Sequence, residues 1–295
     1  RFRKESGRMM DQHNPSPYLV TGKSYTAVAI NVASKAGEWV KSKLGQYSKL
    51  DRKTGNSDLV TEVDKGAETL IRNLIGTHFP NHAILGEEAV KPGTEHSIRA
   101  LEEAKNEPFL WIVDPIDGTT NFVHGFPYFS VSIALAHKGE VIVGVVYDPN
   151  RDEMFVAEKG KGAYVHGKRI RVSGENRLAD SLIATGFPTD RTRSLPINFA
   201  GLQAMVPKVR NIRSSGSAAL HLAYVAAGRL SGFWEINLNP WDVAAGALLV
   251  QEAGGRVTDT LGTPYSLEVR HIVASNGHIH DEFIRTLSEA EATGY

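Results

Sequence analysis

A chain of 295 residues with 41% hydrophobic side chains can bury a substantial core without disulfides or structural metals. Its 33 Lys+Arg and 33 Asp+Glu cancel, so no global field draws it to nucleic acid or to an anionic membrane; neither is expected as a partner, and any affinity for an anion must be local. Cysteine is absent, which excludes disulfides, thiolate metal sites and cysteine nucleophiles, is compatible with a reducing cytosol, and goes with an expected cytoplasmic location. No apolar run approaches the roughly 20 residues needed to span a bilayer.

Residues 1–22 are polar, carry Pro15 and Pro17, and contain no apolar block resembling a secretory signal; they are set apart as an extension expected to be disordered, with 23–295 forming one catalytic domain. Helical spacing of apolar residues predicts one helix over Tyr25 to Leu44 and another through Ala67, Leu70, Ile71, Leu74 and Ile75. Short β-rich runs follow at Ala83–Leu85, Phe109–Val113, Phe129–Ala136, Val141–Tyr147 and Met154–Ala157, separated by turn signals such as Asp148-Pro149-Asn150. That block is predicted to be an antiparallel meander. Beyond it the pattern predicts a helix near Ala218–Ala227, a strand at Gly232–Glu235, a helix from Pro240 to Glu252, strands near Val257 and Ile272–Ala274, and a terminal helix over His280–Leu287. Successive helices and strands of this kind imply an α+β or mixed α/β layered fold.

The chemistry concentrates in the run from Trp111 to Asn121, where an apolar strand leads into Asp114-Pro115-Ile116-Asp117-Gly118-Thr119-Thr120. Two carboxylates around a Pro-containing turn, with the carbonyl of Ile116 between them, can converge on one hard, oxygen-seeking cation, and magnesium suits such donors better than zinc. Gly118 lets the backbone approach a ligand closely, and if Thr119 and Thr120 open a helix their N–H groups point at an anion. Ordinary turn chemistry, with each Asp merely capping, is the competing explanation.

Three further acidic segments stand beside it: Gly86-Glu87-Glu88 after a short strand, Asn239-Pro240-Trp241-Asp242, and Asp58-Leu59-Val60-Thr61 with Asp64. The second is also a normal helix start, with Asn239 as N-cap, Pro240 in the first position and Asp242 in the third. The last also reads as a helix start, with Asp64 favouring the dipole or orienting a hydroxyl.

Taken in order, these segments, together with Trp241-Asp242-Val243-Ala244-Ala245-Gly246 and Glu252-Ala253-Gly254-Gly255, closely resemble the inositol monophosphatase family through nearly the whole chain after its first twenty or so residues. The resemblance implies a layered α/β/α/β/α sandwich, a homodimer, lithium sensitivity and two or three magnesium ions. It implies Glu87, Asp114 and the Ile116 carbonyl as ligands of one ion and Asp114, Asp117 and Asp242 as ligands of a second. Thr119, assisted by Asp64 and Glu87, is implied as the group that positions and deprotonates water, with the Gly118 and Thr119 amides on phosphate oxygens. Lys53 aligns with a lysine near the metals, although it also reads as a solvated charge.

By the same resemblance, Gly216, Ser217, Ala218 and Glu235 join Asp117 and Asp242 in contacting substrate hydroxyls, with Ser217 standing where the family usually has Thr. The implied activity is magnesium-dependent hydrolysis of myo-inositol monophosphate to inositol and phosphate. The alternatives are a related phosphatase acting on histidinol phosphate, a nucleotide bisphosphate or fructose bisphosphate, and a bacterial-type antitermination factor that keeps phosphatase activity. A catalytically silent scaffold is disfavoured because every metal and water-activating position is intact.

Overall fold

The computed structural model describes residues 24–46, 50–52 and 59–295. Helix α1 (Tyr25–Ser42) starts at an N-cap Ser24 whose hydroxyl accepts from the Ala27 amide, and it buries Val28, Ala29, Val32, Ala33, Ala36 and Val40 on one face. A two-stranded antiparallel pair, β1 (Leu50–Arg52) and β2 (Leu59–Thr61), leads to α2 (Glu62–His78). The segment expected only to start a helix therefore ends a strand first. Thr61 is both the last strand residue and the helix N-cap, in a capping box with Asp64.

A seven-stranded sheet follows, ordered β3 (Ala83–Gly86), β4 (Phe109–Asp117), β5 (Ser130–His137), β6 (Glu140–Asp148), β7 (Glu153–Glu158), β8 (Gly162–Val165), β9 (Lys168–Ile170). The expected meander holds from β4 to β7, and β8 and β9, which were not expected, continue it. Strand β3 departs from it, pairing parallel to β4 because α3 (Thr94–Ala104) carries the chain back across the sheet. A second sheet has the order β11 (Asn211–Arg213), β10 (Leu182–Thr185), β12 (Gly232–Glu235), β14 (Ile272–Ser275), β13 (Arg256–Asp259). The remaining helices are α4 (Thr119–His124), α5 (Ser194–Met205), α6 (Ala218–Ala226), α7 (Pro240–Glu252) and α8 (His280–Glu289).

The layers follow from which faces are apolar. Along β4, Trp111 and Val113 pack with the α1 and α2 side chains, while Leu110 and Ile112 pack in the cluster that holds α6 and α7. Helix α7 is apolar all round, from Trp241 to Val250 apart from Asp242, as a helix enclosed between two sheets must be. Gly144 of β6 makes this approach possible, since a Cβ there would lie 2.7 Å from the Ala245 carbonyl oxygen. On the far side of the second sheet, Trp234 and Val273 pack with Met205 of α5 and Phe283 and Leu287 of α8. The architecture is the expected α/β/α/β/α sandwich: α1 and α2, the seven-stranded sheet, α6 and α7, the five-stranded sheet, then α5 and α8.

Candidate active site

Asp114 lies opposite Ser132 in the β4–β5 ladder and Asp117 lies opposite Ser130, so three steps on β4 match two on β5. The expected turn around Pro115 is instead a β-bulge within a continuous strand, a place where a proline without an N–H is tolerated. Because Ser130 and Ser132 share a face, the bulge brings both aspartates to the side where α7 begins. There Asp242, in the first turn of α7, accepts from the Asn239 amide at 2.7 Å. Carboxylate oxygens of Asp114, Asp117 and Asp242 all lie within 4.8 Å of one another.

Each member is held by its own contacts. Asp114 Oδ1 accepts from the Ile116 amide at 3.1 Å, and its carboxyl shares a hydrogen bond with Glu87 in the 3-10 turn Glu87–Ala89. Asp117 Oδ2 accepts from Ser217 Oγ at 2.6 Å and from the Ala219 amide at 2.7 Å, which docks it on the first turn of α6. Burial raises Asp114 well above the usual carboxylate range, reinforced by the charges of Glu87, Asp117 and Asp242. Burial also pushes Asp117 up to about 6 against its bonds to Ser217 and Ala219, and raises Asp242 together with the charges of Asp117 and Glu87. No lysine or arginine among the described residues forms an ion pair with any of the three. Converging buried oxygens of one sign, with Arg270 the positive side chain that acts on Asp242 and no ion pair to any of the three among the described residues, fit a hard divalent cation.

Beside the triad, Thr119 Oγ1 donates to Asp64 Oδ1 at 2.7 Å and also lies 3.1 Å from the Ile116 carbonyl. Gly118 has φ 101°, in the left-handed region, and a Cβ there would stand 3.1 Å from the carbonyl oxygens of Gly216 and Tyr128. The expected helix at Thr119 and Thr120 is α4, six residues long. Glu235, at the end of β12, is only 8% exposed, and burial together with the charges of Asp242 and Asp117 raises its carboxyl well above the usual range. Gly216 is exposed, Ser217 is buried and caps α6 through the Leu220 amide, and Ala218 is buried behind it. The structure thus gathers Asp64, Glu87, Asp114, Ile116, Asp117, Gly118, Thr119, Ser217, Glu235 and Asp242 in one region. Lys53 and Asp58 lie outside the described residues.

Three supporting residues are not among the expected site residues. Glu68, buried on α2, accepts from the Glu88 amide at 2.6 Å and from Arg72 Nε at 2.8 Å, fixing the turn that carries Glu87. Asn121 Nδ2 donates to the carbonyls of Tyr128 at 2.6 Å and Ser215 at 2.7 Å, tying α4 to the segment before α6. Arg270 Nη2 donates to Asn239 Oδ1 at 2.8 Å, bracing the start of α7. Only Glu68 carries a sequence signal, as an acid on the apolar side of an amphipathic helix.

The profile of the inositol monophosphatase family matches residues 22–292. The chain belongs to this family of metal-dependent phosphatases. It is 46% identical over 269 residues to inositol monophosphatase 2 of Solanum lycopersicum, covering 90% of this chain and 99% of that protein. It is 41% identical over 263 residues to the Nus factor SuhB of Pasteurella multocida, covering 88% and 94%. Among solved structures, an IMPase of Thermotoga maritima superposes with a TM-score of 0.79 at 38% identity, covering 90% of this chain and 98% of that one.

Proposed function

We propose that this family member is a magnesium-dependent phosphomonoesterase that hydrolyses myo-inositol monophosphate, working as one catalytic domain over residues 23–295. The observation that carries the reading is the convergence of Asp114, Asp117 and Asp242 beside a threonine hydroxyl already engaged by a carboxylate. Asp114, Asp117 and Asp242 would hold one ion, and Glu87, Asp114 and the Ile116 carbonyl another. Magnesium bound there supplies Lewis acidity, polarising the phosphoryl group and lowering the pKa of water.

The protein's own groups do the positioning. Thr119 donates its hydrogen bond to Asp64, which leaves its oxygen lone pairs to accept from an incoming water, and Asp64 and Glu87 supply the basicity that takes up the proton this water loses. The Gly118 and Thr119 amides hold phosphate oxygens. The water oxygen bonds to phosphorus as the ester P–O bond breaks, and the departing alkoxide takes up a proton from solvent. Glu235 accepts hydrogen bonds from ring hydroxyls, and the exposed backbone of Gly216, with Ala218 behind it, lines the same space. Ser217 acts there by fixing Asp117, to which its hydroxyl already donates.

A homodimer belongs to this proposal, supported by the exposed aromatics Phe126, Phe187 and Phe199, the last two with ring centroids 6.1 Å apart. Among the described residues no helix is long and apolar enough to cross a membrane. The absence of cysteine supports a cytoplasmic setting. The test is phosphate release from inositol monophosphate, expected with magnesium, inhibited by lithium and abolished by EDTA. Full activity in EDTA overturns the reading.

A further inference from the structure

Strands β10 and β12 run parallel, with Thr185 opposite Trp234, and Thr185 Oγ1 donates to the Trp234 carbonyl at 2.8 Å. Alternation along the two strands puts Ala184 and Phe233 in the cluster shared with α6 and α7, while Ile183 and Trp234 face α5 and α8. The next residues on the inner side are Gly186 and Glu235. A Cβ on Gly186 would lie closer than 3.0 Å to all three atoms of the Glu235 carboxyl group, a separation that real Cβ atoms do not show. Gly186 is itself buried and its φ is not positive, so its backbone is one that any L-residue adopts. Glycine is required there by the carboxylate and not by the chain's own conformation.

We propose that Gly186 is a specificity-determining position: its missing side chain forms the recess in which the Glu235 carboxylate rests, and the depth of that recess sets where Glu235 meets substrate hydroxyls. The inference rests on Glu235 as the reader of a polyol. Among the described residues none donates a hydrogen bond to Glu235, and the close packing against Gly186 is the contact that limits where its carboxylate can sit. The carboxyl is also the free end of a flexible side chain. A methyl group at position 186 is therefore accommodated by moving Glu235 and not by moving the strands.

The experiment is a double-mutant cycle of Gly186→Ala and Glu235→Ala, read by kinetics and by thermal unfolding. Gly186→Ala is expected to raise KM for inositol monophosphate about tenfold or more, the scale set by one misplaced group in a binding pocket, while kcat/KM for an aryl phosphate without hydroxyls changes less than about twofold. In the Glu235→Ala background the same glycine substitution is expected to change neither KM nor melting temperature, because the group it displaces is gone. An unchanged polyol preference in Gly186→Ala overturns the proposal, and so does an equal penalty in both backgrounds. If Gly186→Ala folds poorly, recovery of the melting temperature in the double variant supports the recess and failure to recover overturns it. Wild-type enzyme that releases no phosphate from any polyol ester defeats the proposed function instead, and the melting cycle still reports on the contact.

Discussion

The Thr119 hydroxyl donates to one oxygen of Asp64 at 2.7 Å, while the other oxygen of that carboxylate accepts from the amide and hydroxyl of Thr61 at 2.8 and 2.6 Å. One side chain thus starts a helix and orients the candidate water-activating group. Asp64→Asn can accept on only one atom, so Thr119 loses its fixed acceptor. Phosphate release is expected to fall about 100-fold or more, the usual range for a displaced general base. Weakening the capping box costs about 0.5–2 kcal/mol, which denaturant unfolding measures. The magnesium-induced rise in melting temperature should persist; its loss would assign Asp64 to ion binding.

The triad makes a different prediction. Several like charges are held together, which costs stability near neutral pH in the absence of metal. An ion that binds only the folded state adds about 2.7 kcal/mol at one hundred times its Kd. Asp114→Asn keeps the shape but removes one charge and the bridging ligand. The variant is expected to be inactive, to unfold in EDTA at the same or a higher temperature than wild type, and to lose most of the magnesium effect. If Asp114 only held the bulge through the Ile116 amide, the variant would be less stable in EDTA yet respond fully to magnesium.

Glu235 separates recognition from chemistry. Glu235→Gln should weaken discrimination among polyol phosphates more than it weakens hydrolysis of an aryl phosphate, which offers no hydroxyls to read. Steady-state kinetics on the two substrate types decides this, and equal losses would assign Glu235 to the metal cluster or the fold.

What could be read before folding was whatever the chain encodes locally. Strands β4 to β7 show as apolar runs between turns, and α7 announces itself by Asn239-Pro240. Strands β8 and β9 are short and turn-rich, and α3 buries only Ser97 and Leu101, so neither period stands out. Helix α5 has Pro196 in its first turn and apolar residues on every side, and its start is organised by Asp190, which accepts from the Thr192, Arg193 and Ser194 amides. The site divides in the same way. Asp114 and Asp117 sit in one conspicuous run, whereas Asn121, Arg270 and Gly186 act on segments distant in sequence, and no local pattern reports a contact of that kind.

Two buried histidines tie the stability of the fold to pH on the acid side. Burial lowers His221 to about 3 and His280 to about 4, the latter lying between Ser275 Oγ at 2.7 Å and Thr258 Oγ1 at 2.8 Å, with Arg256 and Asp281 as the nearby charges. The folded state then binds fewer protons than the unfolded chain below about pH 6.5, the ordinary histidine value. Their contribution is complete above that pH and is lost as pH falls towards 4 and then 3, at up to about 1.4 kcal/mol per pH unit for each group. His280→Gln should flatten the dependence of unfolding free energy on pH between 6.5 and 4. A slope identical to that of wild type would show that His280 is protonated in the fold.

The unmatched residue in β4 has a consequence for how the chain can vary. Strand positions alternate, so an odd interval should send Asp114 and Asp117 to opposite sides of the sheet, one to the cation and the other into the apolar layer under α1 and α2. Parity is corrected by the extra residue between them. Removing one residue from the Pro115–Ile116 pair would restore perfect pairing with β5 and would leave the two acids at an even interval. They would still share a face and the second acid would still meet Ser130, but the bulge that presents the Ile116 amide to Asp114 and the Ile116 carbonyl to Thr119 would be gone. Side-chain changes in this stretch alter the donors one at a time, whereas a change in its length removes the backbone kink that aims several of them together.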